Sequence, residues 1–324
     1  MIHWGVIATG GITARFADAM TRVDDGQIIA VSSRTPDRAA FFADRWGIER
    51  RYPDGDEIAH DPDVDVVYVA TPHARHASDT INCLAAGKPV LCEKPFALNA
   101  RQAQAMIEAA EPGRLFLMEA IWSRFLPAYR SLVDVLGSGR IGTPLQVDAD
   151  FGFVKAFEPS HRLFSLELGG GALLDLGIYP LQLCMLVLGP IGKIAAAASI
   201  GSTGVDERMA AVLHHFEGGL GIIKASLTIP LACTARISGT EGWIELPPFM
   251  HCPKSLTVHS PGDIETIQCG FEGDGLEPEI REVHRCLELG LSESPLMPLA
   301  ETLGLARAMD EIRSQIGLRY PGEI

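Results

Sequence analysis

Along the first 120 residues, short apolar runs alternate with stretches in which apolar residues recur every three or four positions. Ile2 to Ala8 is the first run, and Ile12, Phe16 and Met20 follow it at helical spacing. Gln27 to Ser32 reads as a second strand, and Thr35-Pro36 opens a helix with an N-cap residue and a proline in its first turn. Asp65 to Thr71 (DVVYVAT) gives a third strand, and the helix from Ala74 to Ala86 stops at Gly87. Pro89 to Glu93 (PVLCE) makes a fourth strand, Asn99 caps another helix, and Arg114 to Glu119 is a fifth strand. Apolar strands alternating with helices specify a doubly wound parallel sheet covered on both faces, expected over residues 1–121.

Past Trp122 the pattern changes. One long helix is expected from Gly171 to Leu188, followed by strands separated by glycine turns. In PLQVDADFGF, Leu145, Val147, Ala149, Phe151 and Phe153 share one strand face while Gln146, Asp148 and Asp150 share the other. That alternation suits an antiparallel sheet with one face less buried. Further strands are expected near Lys193 to Ile200, Arg208 to Phe216, Gly219 to Leu227, Thr234 to Leu246 and Ser255 to His259, with helices at Glu279 to Leu289 and Leu299 to Ile316. Residues 122–324 therefore read as an α+β domain with a large, mostly antiparallel sheet, and no repeat or long linker divides the chain.

Composition narrows the class. A chain of 324 residues, 47% hydrophobic, is long enough for about two domains. The formal charge of -14 argues against nucleic acid and anionic membrane as partners. No basic segment with an apolar core opens the chain, and no apolar run approaches the roughly 18 residues of a membrane span. A cytoplasmic protein is expected. Seven cysteines without a C-x-x-C pair read as reduced thiols. No metal site is expected: His214 and His215 are adjacent on a strand and point to opposite faces.

The turn HWGVIATGGITARF looks like a dinucleotide fingerprint with only its middle glycine kept, since Ala8, Gly10 and Thr13 hold the three marked positions. On these residues alone it is either a phosphate site at a helix N-terminus or an ordinary strand-to-helix turn. At the end of the second strand, VSSRTPDRA lacks the acidic residue that binds a ribose diol. Ser33, Arg34 and Arg38 would suit a 2'-phosphate, or the arginines are simply solvated. Thr71-Pro72 ends the third strand, His73 and His76 follow, and Glu93-Lys94-Pro95 ends the fourth, where open α/β sheets bind ligands. Glu93 and Lys94 read equally as a surface ion pair. In GGGALLDLGIYPLQL, Asp175 and Tyr179 stand at i, i+4, and Pro180 is expected to kink the helix beside Tyr179. Arg124, in MEAIWSRF, points into a cleft or lies on the surface.

Taken together, WGVIATGGI, SSRTPDRA, LAAGKPVLCEKP, LFLMEAIWSRF, GGGALLDLGIYPLQ, ISGTEGWIEL and ESPLMPL make the chain resemble the glucose-fructose oxidoreductase / inositol dehydrogenase / MocA (Gfo/Idh/MocA) superfamily along nearly its whole length. The likeness is nearest to its dimeric trans-dihydrodiol dehydrogenase branch, which overlaps with NADP-dependent D-xylose dehydrogenases. In that branch small residues replace the outer glycines, as Ala8 and Thr13 do here. The resemblance implies a Rossmann domain, a mostly antiparallel sheet whose open face often forms a homodimer interface, and hydride transfer on NADP, with NAD second. It implies dinucleotide contacts at Thr9, Gly10, Gly11 and Ile12, at Ser33, Arg34 and Arg38, at Thr71, Pro72, His73 and His76, at Glu93 and Lys94, and at Trp122 and Arg124. His73 departs from the superfamily's usual asparagine, though not from this branch.

By the same resemblance Lys94 lies near the substrate hydroxyl, Tyr179 is the acid/base and Asp175 braces its surroundings, with Trp122, Phe125 and His161 beside a sugar or cyclic diol substrate. Pocket specificity is expected from Trp122, Phe125 and the segment Lys155 to Leu168. The rival readings are a non-catalytic nucleotide- or sugar-sensing regulator of the same fold and a related sugar reductase of the anhydrofructose type.

Overall fold

Each apolar run of the first 120 residues becomes a strand whose side chains are covered on both faces. The computed structural model describes residues Met1–Glu323. They divide into two compact units, one formed by Met1–Phe125 with Glu272–Leu303, the other by Leu126–Phe271 together with the chain from Gly304 onward. The expected boundary at 121/122 thus lies just before the change of unit at 125/126, and residues 272–303 group with the first unit.

In the first unit, β1 (Ile2–Ile7), α1 (Gly11–Met20), β2 (Gly26–Ser32), α2 (Pro36–Trp46), β3 (Arg50–Tyr52), α3 (Gly55–His60), β4 (Val66–Val69), α4 (His76–Ala85), β5 (Val90–Glu93), α5 (Ala100–Ala110) and β6 (Leu117–Ala120) follow in order. The sheet runs β3-β2-β1-β4-β5-β6, every pair parallel. The strand order reverses between β1 and β4, so their carboxyl ends open a crevice of the kind that holds dinucleotides. Local chemistry sets the helix ends. Pro36 occupies the first turn of α2, which stops at Gly47 with φ +68, and the Asn99 side chain accepts the Gln102 amide 2.8 Å away at the start of α5. The short β3 and α3 were not expected, and Asp54 caps α3 by accepting the amides of Asp56 and Glu57. The unit is closed by α8 (Glu277–Glu288), whose His284 Nε2 accepts the Trp4 indole N–H at 2.9 Å.

In the second unit, α6 (Pro127–Gly137), β7 (Pro144–Gly152), α7 (Ile178–Leu188), β8 (Ile191–Ile200), β9 (Asp206–His215), β10 (Leu220–Ser226), β11 (Ala235–Gly239), β12 (Trp243–Leu246), β13 (Ser255–Ser260) and β14 (Asp263–Gln268) precede α9 (Leu299–Ile316), which begins in the first unit. The sheet order is β14-β13-β12-β11-β7-β10-β9-β8, antiparallel except for β7 with β10. The expected strand from Thr234 to Leu246 is two strands, turned at 240–242. The alternation of β7 holds at its centre: Val147, Ala149 and Phe151 are buried under α7. Leu145 and Phe153, at its ends, are exposed. His214 and His215 face opposite ways, one exposed and one buried.

The expected single helix from Gly171 to Leu188 is instead π-wound over Leu173–Gly177 before α7 begins. Pro180 has no amide to give the preceding turn, and the wider winding takes up the mismatch without breaking the helix. The expectation that no run approaches the length of a membrane span is corrected by Leu166–Leu188. That stretch is apolar and long enough to cross a membrane, with a mean hydropathy of 1.7, but 83% of its most apolar window is buried inside the protein, as a core helix is.

Candidate active site

The turn after β1 is built for close approach. Ala8 takes φ +96, a left-handed backbone that costs an L-residue roughly 1–2 kcal/mol and that glycine adopts freely. Gly10 is the N-cap of α1 and no side chain among the described residues caps its first amides, while a Cβ added at Gly10 or Gly11 would project into open space. Uncapped amides, the positive helix end and an open cradle fit the pyrophosphate of a dinucleotide. Thr9 and Ile12 flank the cradle. Thr13, the third marked position, is fully buried, so its side chain packs inside the turn. Where β2 ends, Ser33 Oγ accepts the Thr35 amide at 3.3 Å and Arg34 and Arg38 are exposed in the same turn.

The ends of β4 and β5 are tied together. His76 is buried and its ring spans from Nε2 at the Thr71 carbonyl to Nδ1 at the Pro95 carbonyl, 2.8 Å each. Pro72 leads into a short 3-10 turn at His73–Arg75. Burial pushes the His76 pKa down, against the pull of the two carbonyls. The His73 ring lies 5.6 Å away. Around Lys94 two carboxylates grip the backbone: Glu93 accepts the Lys94 amide at 3.1 Å and Glu119 accepts the Phe96 amide at 2.9 Å, on either side of the cis peptide to Pro95. Glu93 is buried and also accepts the Tyr68 hydroxyl, so it is not the surface group it could have been from sequence.

Behind these lies Glu279, fully buried on α8 with no partner among the described residues for either carboxyl oxygen. Burial, then the charges of Glu93 and Glu119, hold it protonated well above the usual range. Burial also pushes Glu119 up to about 7. Trp122 and Phe125 are buried, Trp122 under the Arg15 guanidinium at 5.2 Å. Arg124 is buried too, and donates to Glu301 at 2.6 Å.

In the second unit Tyr179 opens α7 and is 5% exposed. Its ring meets Phe151 edge-on at 5.7 Å and His251 at 5.0 Å, and His251 stacks on Phe151 at 4.3 Å. Asp175 lies in the π-wound turn and accepts Arg162 Nη1 at 2.8 Å. His161 sits in the turn just before, its Nδ1 accepting the Leu163 amide at 3.2 Å. Burial, then Lys155 and Arg162, lower its pKa.

Residues 2–120 match the family described as "Oxidoreductase family, NAD-binding Rossmann fold", and residues 129–245 match "GFO/IDH/MocA C-terminal domain". The chain is 36% identical over 330 residues to trans-1,2-dihydrobenzene-1,2-diol dehydrogenase of Homo sapiens, covering 99% of this chain and 98% of the relative. The chain belongs to the GFO/IDH/MocA oxidoreductase family. It is a nicotinamide-dinucleotide oxidoreductase. The Mus musculus enzyme of the same name is 37% identical over the same length. Among solved structures, KijD10, a 3-ketoreductase of Actinomadura kijaniata with NADP and TDP-benzene, superposes with a TM-score of 0.87 at 26% identity, covering 97% of this chain and 98% of that one. Aldose-aldose oxidoreductase of Caulobacter crescentus, at 24% identity and a TM-score of 0.88, shares the fold.

For this family member, the residues expected at the dinucleotide turn and at the ends of β2, β4, β5 and β6 all fall in the first unit. Tyr179, Asp175 and His161 fall in the second. Within that unit Asp175 pairs with Arg162, and Tyr179 meets the rings of Phe151 and His251. His251 was missed from sequence: it lies in PPFMHCPK, a proline-bounded loop with no periodic pattern, and its neighbours are distant in the chain.

Proposed function

We propose that the enzyme reversibly oxidises a hydroxyl carried on a ring carbon, that of a sugar such as D-xylose or of a cyclic trans-dihydrodiol, with NADP as the preferred cofactor. A nicotinamide dinucleotide held by the first unit would supply the hydride acceptor. Tyr179 takes the hydroxyl proton as the carbon loses that hydride, leaving a lactone from a hemiacetal or a ketol from a dihydrodiol. Free tyrosine ionises near pH 10, so a cation must favour the phenolate, and Lys94 is assigned that part. Thr9 to Ile12 hold the pyrophosphate. Ser33, Arg34 and Arg38 receive the 2'-phosphate, while Thr71, Pro72, His73, His76, Glu93, Trp122 and Arg124 shape the nicotinamide end.

The observation that carries the reading is Tyr179 itself: a phenol at the start of a buried helix, set among aromatic rings on a chain that matches diol dehydrogenases from end to end. Aromatic walls favour a cyclic substrate. Tyr179→Phe keeps the ring and deletes the proton carrier, so turnover of NADP with D-xylose or trans-1,2-cyclohexanediol should fall by about 10² to 10⁴ while NADP binding stays unchanged. A variant that kept most of the rate would reassign the proton step. If the wild type bound NADP yet turned over no pentose, hexose or cyclic diol, the non-catalytic sensor would be the better reading.

The same reading pairs two copies through the outer face of the second sheet. One row across that face runs Ala195, Val212, Ile222, Asp148, Arg236, Glu245 by strand register. Val212 and Leu220 are exposed at one end, beside a depression of about 490 Å³ that includes Asp148, Lys224 and Arg236. Apolar and charged groups on one open face suit a self-complementary interface. Seven cysteines held as thiols support a reducing, cytoplasmic setting.

A further inference from the structure

The loop bearing His251 is fixed by the helix that bears Tyr179. Gln182, three residues past Tyr179 on α7, donates to the Tyr129 hydroxyl at 3.1 Å. Tyr129, on α6, donates in turn to the Met250 carbonyl at 3.1 Å. From Met250 the chain passes to His251, whose ring rests on Phe151 and reaches back to Tyr179. The contacts form a closed circuit that leaves α7 at Gln182 and returns to it at Tyr179. Every link lies in one unit, and Tyr129 and Gln182 are fully buried.

The loop is held from its other side as well. Met250 N–H donates to the Cys233 carbonyl at 2.9 Å, and the Asp150 carboxylate accepts the Cys233 amide at 2.7 Å. Phe249 takes φ +66 and Cys233 φ +57, left-handed backbone at two residues that are not glycine. Such conformations persist only where the surroundings over-determine them, and they gather at functional sites. Here they adjoin Met250, bonded through both its amide and its carbonyl, which delivers His251 to the tyrosine.

We propose that His251 is the positioning residue of Tyr179, and that the Gln182–Tyr129–Met250 hydrogen bonds hold it there, so that the phenol has one ring orientation. A phenol displaced by about 1 Å loses its alignment with the hydroxyl proton. The proposal rests on the reading of Tyr179 as acid/base for its consequence in turnover, though not for its geometry.

The test separates the two. The protein is labelled with fluorotyrosine, loaded with NADP, and its five tyrosine fluorine lines are assigned by single Tyr→Phe variants. Expected are a shift and broadening of the Tyr179 line in His251→Ala and in Tyr129→Phe, and its return in His251→Phe, which restores the ring. In parallel, kcat with trans-1,2-cyclohexanediol or D-xylose should fall about 10- to 100-fold in His251→Ala and Tyr129→Phe with KM for NADP unchanged. The double variant should be no worse than the poorer single, since both break one circuit. A Tyr179 line unmoved by either variant overturns the proposal, as does failure of His251→Phe to restore it. If the line responds while Tyr179→Phe keeps the wild-type rate, the positioning stands and the acid/base reading fails.

Discussion

The buried carboxyls give the protein a stability that falls as the solution becomes more alkaline, and Glu119→Gln should abolish one share of the fall. Glu119 is 1% exposed at the end of β6. Burial raises its pKa from 4.5 to about 7, opposed by the Phe96 amide it accepts and by Arg124. The folded state therefore keeps a proton that the unfolded chain has already released, and native stability drops as pH rises. The contribution is intact below pH 4.5 and is lost progressively until the pH passes about 7. Each tenfold change in proton affinity between the folded and unfolded chain is worth about 1.4 kcal/mol, so the loss is roughly 3 kcal/mol. It needs no allowance for solvent screening, because the group is buried.

Glutamine keeps the oxygen that accepts the Phe96 amide and carries no ionisable proton. Urea unfolding at a series of pH values from 4.5 to 8 is the assay. The variant should gain on the wild type across that range, by roughly 3 kcal/mol in total, with little further change above. A difference between the two proteins that stayed constant with pH would refute the reasoning, whatever its size. Asp206 offers an internal control in the other unit. It accepts the Leu173 amide at 2.7 Å at the start of the π-wound turn, and burial lifts it from 3.8 to about 7. Asp206→Asn should show the same sign, and where the two units unfold separately each variant should move only its own transition.

Three further outcomes follow from the cofactor turn and the open sheet. Arg34→Ala should raise KM for NADP roughly 10- to 100-fold and leave KM for NAD unchanged, because a lost charge-assisted contact is worth about 1.5–3 kcal/mol; equal changes for both cofactors would remove Arg34 from the 2'-phosphate. Ala8→Gly should relieve the left-handed strain at the dinucleotide turn and raise unfolding stability by about 0.5–1 kcal/mol, the gain being partly offset by the freer unfolded chain. Light scattering at micromolar concentration should give twice the 34.9 kDa chain mass, and Val212→Arg should return it to the monomer.

What was legible in the sequence is what depends on neighbours in the chain. Pro36 and Asn99 set helix starts within a few residues, although Thr35, at the N-cap position, makes no side-chain capping bond, and buried strands announce themselves as apolar runs. α6 was not expected, although Pro127 in its first turn and Ala128, Tyr129, Leu132 and Val135 on its buried face carry a helical pattern, because the change of pattern after Trp122 masks it. β3 and α3 were not legible, since RYPDGDEIAH carries almost no apolar periodicity and only Asp54 marks a helix start. Glu279 shows the intermediate case: it lies four residues before Val283 on the apolar stripe of α8, a charge where a core residue belongs, and that misplacement was a readable signal of a buried acid.

His251 lies beyond any such signal. Its ring is set against residues 72 and 100 positions away in the chain, Tyr179 and Phe151, and the backbone that delivers it is left-handed at Phe249, a residue whose type gives no hint of that conformation. The same limit applies at Ala8. Its place in the fingerprint could be counted, but an alanine there argues against the glycine conformation that the backbone in fact adopts. In both places the residue type contradicts the local backbone, and in both the surrounding contacts are what hold it. At Ala8 these include the amide bonded to the Ser32 carbonyl at 3.1 Å, at Phe249 the neighbouring Met250 amide bonded to the Cys233 carbonyl at 2.9 Å. Strain retained at the turn after β1 and at the loop beside Tyr179 therefore marks two regions where geometry outweighs local preference. Substitutions that relax them should separate stability from turnover: Ala8→Gly stabilises the fold, while a glycine at Phe249 should loosen the loop and lower kcat without lowering NADP affinity.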